Sequence, residues 1–216
     1  MAGDTAGRGG RDLRRSLIEA ASRLLQEPRT APAPSLRAVA RACDVSATAV
    51  YLHFDSRTAL IDAVLDMHFA EARERAEAAV TAAAGPRERL DAFALAYVGW
   101  ALERPGPYQL LFESVDWLKG TGAVRAWMEE RTASLAEDLR AVDPGLAPGE
   151  ALERGEQLWT ALHGIVAGRS RRGDHEWPRS VADEVVGMVA IFAGAQRPGT
   201  PPLSARTPEH PARTPR

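Results

Sequence analysis

The stretch SATAVYLHF, from Ser46 to Phe54, holds the side chains best suited to contact another molecule. Ser46 opens it with a hydroxyl, Ala47 and Thr48 are short, and Tyr51 and His53 carry hydrogen-bonding rings. A helix must be thin where it meets base edges, and Ala47 and Thr48 leave that room. Tyr51 and His53 can hydrogen-bond phosphate oxygens or set an apolar ring edge against a thymine methyl. The chemistry implied is recognition of a DNA surface.

The preceding residues supply the frame. In PSLRAVARACDVSATAVYLHF, Ser35 and Ser46 each offer an N-cap to a short helix, since a serine oxygen can accept a free first-turn amide. Leu36, Val39, Ala40, Val45, Val50 and Phe54 then share one small core, in which Ala40 lets two crossed helices approach. That spacing is a helix-turn-helix, whose second helix lies in the major groove. Before it, RDLRRSLIEAASRLL sets Leu13, Leu17, Ala20, Ala21, Leu24 and Leu25 on one helical stripe. The prolines of EPRTAPAP stop that helix.

Helical periodicity continues, and no alternating strand or hairpin signal breaks it. Asp55 or Ser56 can cap a helix through about Ala83, and Gly85-Pro86 starts another with Leu90, Phe93, Ala94, Tyr97, Trp100 and Ala101 on its apolar face. Pro105 and Pro107 end that helix, and YQLLFESV forms a short one. Further helices are expected at Gly122 to Val142, Pro148 to about Arg171 and Pro178 to Ala195. The tail from Gln196 has six Pro and four Arg against one Glu, too little apolar surface to order itself. The expected fold is all-α with about nine helices. A disordered stretch 1–10 precedes a three-helix DNA-binding domain over 11–55, a helical domain spans 56–195, and a disordered tail covers 196–216.

Composition bounds the setting. The net charge is −2, so bulk charge does not drive nucleic-acid binding. Up to Arg57, however, nine arginines face six acidic residues, a local excess of positive charge. Lys119 is the only lysine, so arginine carries nearly every cation. One cysteine, Cys43, excludes an intrachain disulfide and reads as a small buried hydrophobe. The first residues lack a signal peptide's apolar stretch, and a cytoplasmic location is expected.

LRAVARACDVSATAVYLHFDSRTALIDAV resembles the DNA-binding region of TetR-family transcriptional regulators. Val45-Ser46, Tyr51, His53-Phe54, Ser56-Arg57 and Leu60 stand in the family's register, with Asp44 in place of the usual glycine and Arg57 in place of lysine. Aspartate tolerates a left-handed turn better than most residues, at about 1 kcal/mol relative to glycine. The resemblance implies that Arg37 contacts a base and that Ala47, Thr48, Ala49 and Tyr51 face the major groove. It assigns Ser35, His53 and Arg57 to phosphates, with Ser46 capping the recognition helix among them. It extends to RERLDAFALAYVGWALERPGPYQLLF and to LWTALHGIVAG, where Trp159, His163 and Gly164 resemble the Trp-His-Gly motif of one subgroup.

A member of this family is expected to be a homodimer on an operator of double-stranded DNA. Leu158, Leu162 and Val166 on one helix, and Val181, Val185, Met188, Val189 and Phe192 on the last, are the expected dimer interface. Phe93, Tyr97, Trp100, Tyr108, Phe112, Trp117, Trp127 and Trp159, with His163 as a polar contact, are candidates to line a site for a small apolar or aromatic effector. The resemblance implies a repressor whose effector shifts the Ser56–Ala83 helix and releases the operator. Aromatics at helical spacing also serve as plain core, and His163 as a packing histidine.

Enzyme patterns are absent from the sequence: no glycine-rich phosphate loop, no nucleophile elbow, no Cys-x-x-Cys pair. The histidines lack metal-ligand spacing, so neither a metal nor a cofactor is expected. The alternative is an all-helical small-molecule-binding protein with a degenerate DNA-binding region, favoured by Asp44 and by the short Ala47 and Ala49.

Overall fold

The structure is a computed structural model that describes residues 4–25, 33–113, 122–172 and 175–194. Among these residues there are nine α-helices and no strand: α1 (Asp4–Leu25), α2 (Leu36–Ala42), α3 (Ala47–Tyr51), α4 (Arg57–Ala82), α5 (Pro86–Glu103), α6 (Pro105–Tyr108), α7 (Gly122–Val142), α8 (Pro148–Arg171) and α9 (Val181–Ala193). Trp117, the expected break at residues 27–32 and the tail 196–216 lie outside the described residues.

Three serines set the helix starts. Ser35, Ser46 and Ser56 each hold an extended backbone, and each hydroxyl accepts the amide of Ala38, Ala49 and Ala59 respectively, at 3.1–3.2 Å. Each cap satisfies an amide with no partner inside its helix. Two other starts differ from expectation. Helix α1 begins at Asp4, inside the stretch expected to be disordered. No proline stops it there, and extending a helix already nucleated by packed residues is far easier than starting one. Helix α5 ends at Glu103, before Pro105 as expected, but the short helix after it starts at Pro105 and not at Tyr108, because a proline at the first helical position loses no hydrogen bond. It runs into a π turn, Gln109–Glu113.

Helix α5 is the central element and packs against α4, α7, α8 and α9. Leu90, Phe93, Ala94, Tyr97, Val98, Trp100 and Ala101 are all buried on it. Helix α4 joins the two domains. Its Leu60, Ile61, Val64 and Leu65 pack with Leu17, Ala20 and Ala21 in the apolar core that runs through both domains. Leu24, expected on that stripe, is 47% exposed, since at its end the covered side of α1 turns to Ser22 and Leu25, which are both 5% exposed.

A polar network crosses between the domains within this packing. Ser22 on α1 and His68 on α4 are both buried, and their Oγ and Nε2 are 2.8 Å apart. On the other side of the ring, Nδ1 lies 3.4 Å from the Glu71 carboxylate. Glu71 also pairs with Arg75 at 3.0 Å and with Arg104, at the α5–α6 corner, at 3.1 Å. Arg75 in turn donates to Glu103 at 2.8 Å. No helix among the described residues is long and apolar enough to cross a membrane.

Candidate functional site

Helices α2 and α3 meet through a left-handed turn at Asp44, whose φ is 54°. The Val45 amide donates to the Ala40 carbonyl at 3.0 Å and the Asp44 amide to the Arg41 carbonyl at 3.2 Å. This pair of bonds is the Schellman arrangement, which favours glycine at the left-handed position. Aspartate there carries strain that glycine lacks. Asp44→Val is therefore expected to lower stability by about 1–2 kcal/mol, and Asp44→Gly to raise it by less than about 1 kcal/mol, in urea melts.

Leu36, Val39, Ala40, Val50 and Phe54 are buried beneath the turn. The outward residues are Ser35, Arg37, Ser46, Thr48, Tyr51 and Arg57, all exposed, with Ala47, Ala49 and His53 half-buried. All nine DNA-contact candidates thus belong to α2, α3 and the start of α4. Arg37 has no ion pair among the described residues, and neither has Arg57. The caps and the turn are intact, so Asp44 gives no support to a degenerate reading of this region.

Two further residues stand near the helix-turn-helix. Leu52, 80% exposed, follows Tyr51, itself 56% exposed, at the end of α3. Arg14 on α1 stacks its guanidinium 5.0 Å from the centre of the Phe54 ring. The exposed leucine was readable as an apolar residue with no place in the helix-turn-helix core, whereas Arg14 approaches only through tertiary packing. Cys43 is half-buried, its Sγ lies 3.5 Å from the Ser16 carbonyl, and burial pushes its thiol pKa up, away from a reactive thiolate.

In the larger domain, the eight described effector-site candidates form one cluster. Tyr97 lies within 4.8–6.4 Å, ring centre to ring centre, of Phe93, Tyr108, Phe112, Trp159 and His163. Trp127 meets Phe93 and Trp159 at 6.4 and 5.8 Å, and Trp100 meets Phe112 at 6.4 Å. His163 is engaged at both nitrogens. Its Nδ1 lies 3.0 Å from the Trp159 carbonyl, so Nε2, 3.0 Å away, accepts from the Tyr97 hydroxyl. A packing role for this histidine accounts for both bonds.

The expected dimer residues divide. Leu158, Leu162, Val166, Val185 and Val189 are fully buried within the single chain, where they form the α8–α9 and α5 packing, so they are core and not interface. A helical stripe identifies which face is covered but not by what. Val181, Met188 and Phe192 are half-buried. The exposed residues of α9 are instead Ala182, Asp183, Val186, Ala190 and Ile191, with Ile191 71% exposed. On α8, Thr160 and Gly164 are exposed, and a Cβ added at Gly164 would meet no other atom within 4 Å.

Among the described residues no group of three or more His, Cys, Asp or Glu side chains is placed to hold a metal ion. The family model of bacterial regulatory proteins, tetR family, matches residues 17–64. The model of tetracyclin repressor-like C-terminal domains matches residues 90–202. No curated protein matches the sequence. Among solved structures, a protein of unknown function from Rhodococcus sp. RHA1 is 28% identical, with a TM-score of 0.66 over 84% of this chain and 93% of that one. A transcriptional regulator of the TetR/AcrR family from Thermobifida fusca YX-ER1 is 22% identical, with a TM-score of 0.60 over 86% and 99% of the two chains. The regulator AibR, solved with isovaleryl coenzyme A and operator DNA, is 20% identical, with a TM-score of 0.59 over 82% and 96%.

Proposed function

Since the chain belongs to the TetR family of bacterial DNA-binding transcriptional regulators, we propose that it is a repressor. It binds a palindromic operator as a homodimer and leaves it when a small apolar or aromatic effector binds the larger domain. The observation that carries the reading is the capped α2–turn–α3 unit, with Arg37, Thr48 and Tyr51 turned outward around a closed core. AibR, with its acyl coenzyme A and operator, supports a ligand and DNA acting on one fold. The role is non-catalytic and its place is the cytoplasm.

Ala47, Thr48 and Ala49 are short, so hydrogen-bonded base readout falls mainly on Arg37, whose two N–H groups match the guanine acceptors. Ser35, His53 and Arg57 hold the backbone, Arg57 at a helix start that already favours a phosphate. Dimerisation uses the outward faces of α8 and α9, because one helix-turn-helix reads only a half-site. The effector site is the aromatic cluster on α5, α7 and α8.

The test is selection of genomic fragments by the purified protein, followed by titration of the variants on the selected site. Arg37→Ala is expected to weaken the site by about 1–3 kcal/mol and to relax one base position. Arg57→Ala is expected to weaken all sequences alike and to reduce the salt slope by about one. Binding that ignores Arg37→Ala and vanishes with salt would leave only charge and would defeat the reading.

A further inference from the structure

Carboxylates meet the arginines of this chain unevenly. Among the described residues between Thr58 and Glu113, Arg73, Arg75, Arg87, Arg89 and Arg104 all have an acidic partner. From Asp12 to Arg57 only Arg15 has one, Glu19 at 2.9 Å. Arg14, Arg23, Arg37, Arg41 and Arg57 are exposed and have no ion pair among the described residues. Cations left unpaired on a DNA-binding domain are free to take phosphates. Of those with no proposed contact, Arg14 is the one fixed beside the recognition unit.

Its guanidinium lies over the Phe54 ring, 5.0 Å from the centre, and that ring is set in the core with 3% of its residue exposed. Phe54 directly follows His53 and precedes Arg57 by three residues, a span of about 10 Å at most. Arg14 thus carries its charge to the strip of chain that begins and ends in proposed phosphate contacts. A guanidinium held against a ring uses its face there and keeps N–H groups at its edge for an anion. Asp55, exposed beside Phe54, makes no ion pair with it. Arg14 also borders an open groove of about 460 Å³ between α1 and α4, where the one carboxylate, Glu19, is already paired with Arg15.

We propose that Arg14 is a further DNA contact, donating to a backbone phosphate next to those held by His53 and Arg57. This rests on the proposed operator contacts of those two residues and extends the footprint from the helix-turn-helix to α1. Phosphates recur along each strand whatever the bases, so the contact adds affinity and no sequence preference.

The probes are the duplex that the full-length protein selects from genomic DNA and a duplex of the same length in scrambled sequence. Anisotropy titrations between about 50 and 300 mM salt give the affinity for each and its salt slope. Arg14→Ala is expected to weaken both duplexes alike, by about tenfold, and to lower the slope by about one per bound subunit. Arg14→Lys keeps the charge and should keep most of the slope. Arg23→Ala removes the same charge from α1 at a point about 13 Å along the helix and half a turn round it, and should leave the slope unchanged. Thermal melts verify the fold, and if Arg14→Ala does not fold, Arg14→Met, which keeps an apolar stem over Phe54, carries the same test. An unchanged slope, an equal drop in Arg23→Ala, or a loss confined to the selected duplex would overturn the contact. If Arg57→Ala still lowered the slope, operator binding would stand without Arg14. A parent protein that selects no genomic site would remove both.

Discussion

Ile191→Glu is expected to turn a dimeric regulator into monomers and to weaken its operator binding by about a hundredfold or more. Ile191 is the most exposed aliphatic side chain of α9, and the residues one turn before it, Gly187 and Met188, carry no charge. The acidic residues of α9 are confined to its first turn, where Glu184 is bonded to Arg169 at 2.9 Å. A glutamate in the middle of the apolar face would have to be desolvated in each subunit, opposite its symmetry mate in a two-fold interface. Operator affinity falls with it because the second half-site is gained through effective concentration, an advantage of about 10²–10⁴ that a monomer forfeits. Sedimentation and anisotropy titration on the selected operator measure the two effects together. The exposed Leu152, on the first turns of α8, serves as control: Leu152→Glu should change neither. A variant that stays dimeric would place the interface elsewhere.

How much of this was legible in the sequence follows from the range of each signal. Ser35, Ser46 and Ser56 were readable as caps because a hydroxyl and the amide three residues on are local partners. Asp44 was readable for the same reason, as the turn it holds is closed by Ala40, Arg41 and Val45. The core of α5 was readable because that helix is covered on nearly every side. Which side of α8 and α9 stays open to solvent was not. Leu158 and Val189 obey the helical period perfectly, yet the period is blind to whether the covering helix belongs to the same chain. A buried stripe therefore marks the inner face of α8 and α9 and does not say which outer face a partner covers. Ser22 and His68 were missed altogether, because a lone serine and a lone histidine 46 positions apart give no pattern until the fold brings them together.

That pair supports the second large effect, since it couples stability to pH across the domain boundary. Burial lowers the pKa of His68; Glu71 pulls it up and Arg104 pushes it down, and burial prevails. At neutral pH the folded ring is therefore neutral, and with Nδ1 turned to the Glu71 carboxylate it is Nε2 that accepts the Ser22 hydroxyl. In the unfolded chain it titrates near its ordinary value of 6.5. The unfolded state therefore binds more protons just below that pH, and stability should fall as pH drops from about 6.5 through the lower folded value. Above 6.5 both states are neutral and the slope from this group vanishes. His68→Ala removes the slope and also leaves a void and an orphaned Ser22 hydroxyl, for an expected loss of about 2–4 kcal/mol at neutral pH. Against a total of about 5–15 kcal/mol for a protein domain, that is severe. Urea melts between pH 5 and 8 on the parent protein, His68→Ala and His68→Ala/Ser22→Ala measure it. In the double variant the hydroxyl is gone, so part of the loss should return, by about 1 kcal/mol. An unchanged pH slope in His68→Ala would show that another group sets it. Full additivity of the two substitutions would show that the 2.8 Å contact contributes nothing to joining α1 to α4.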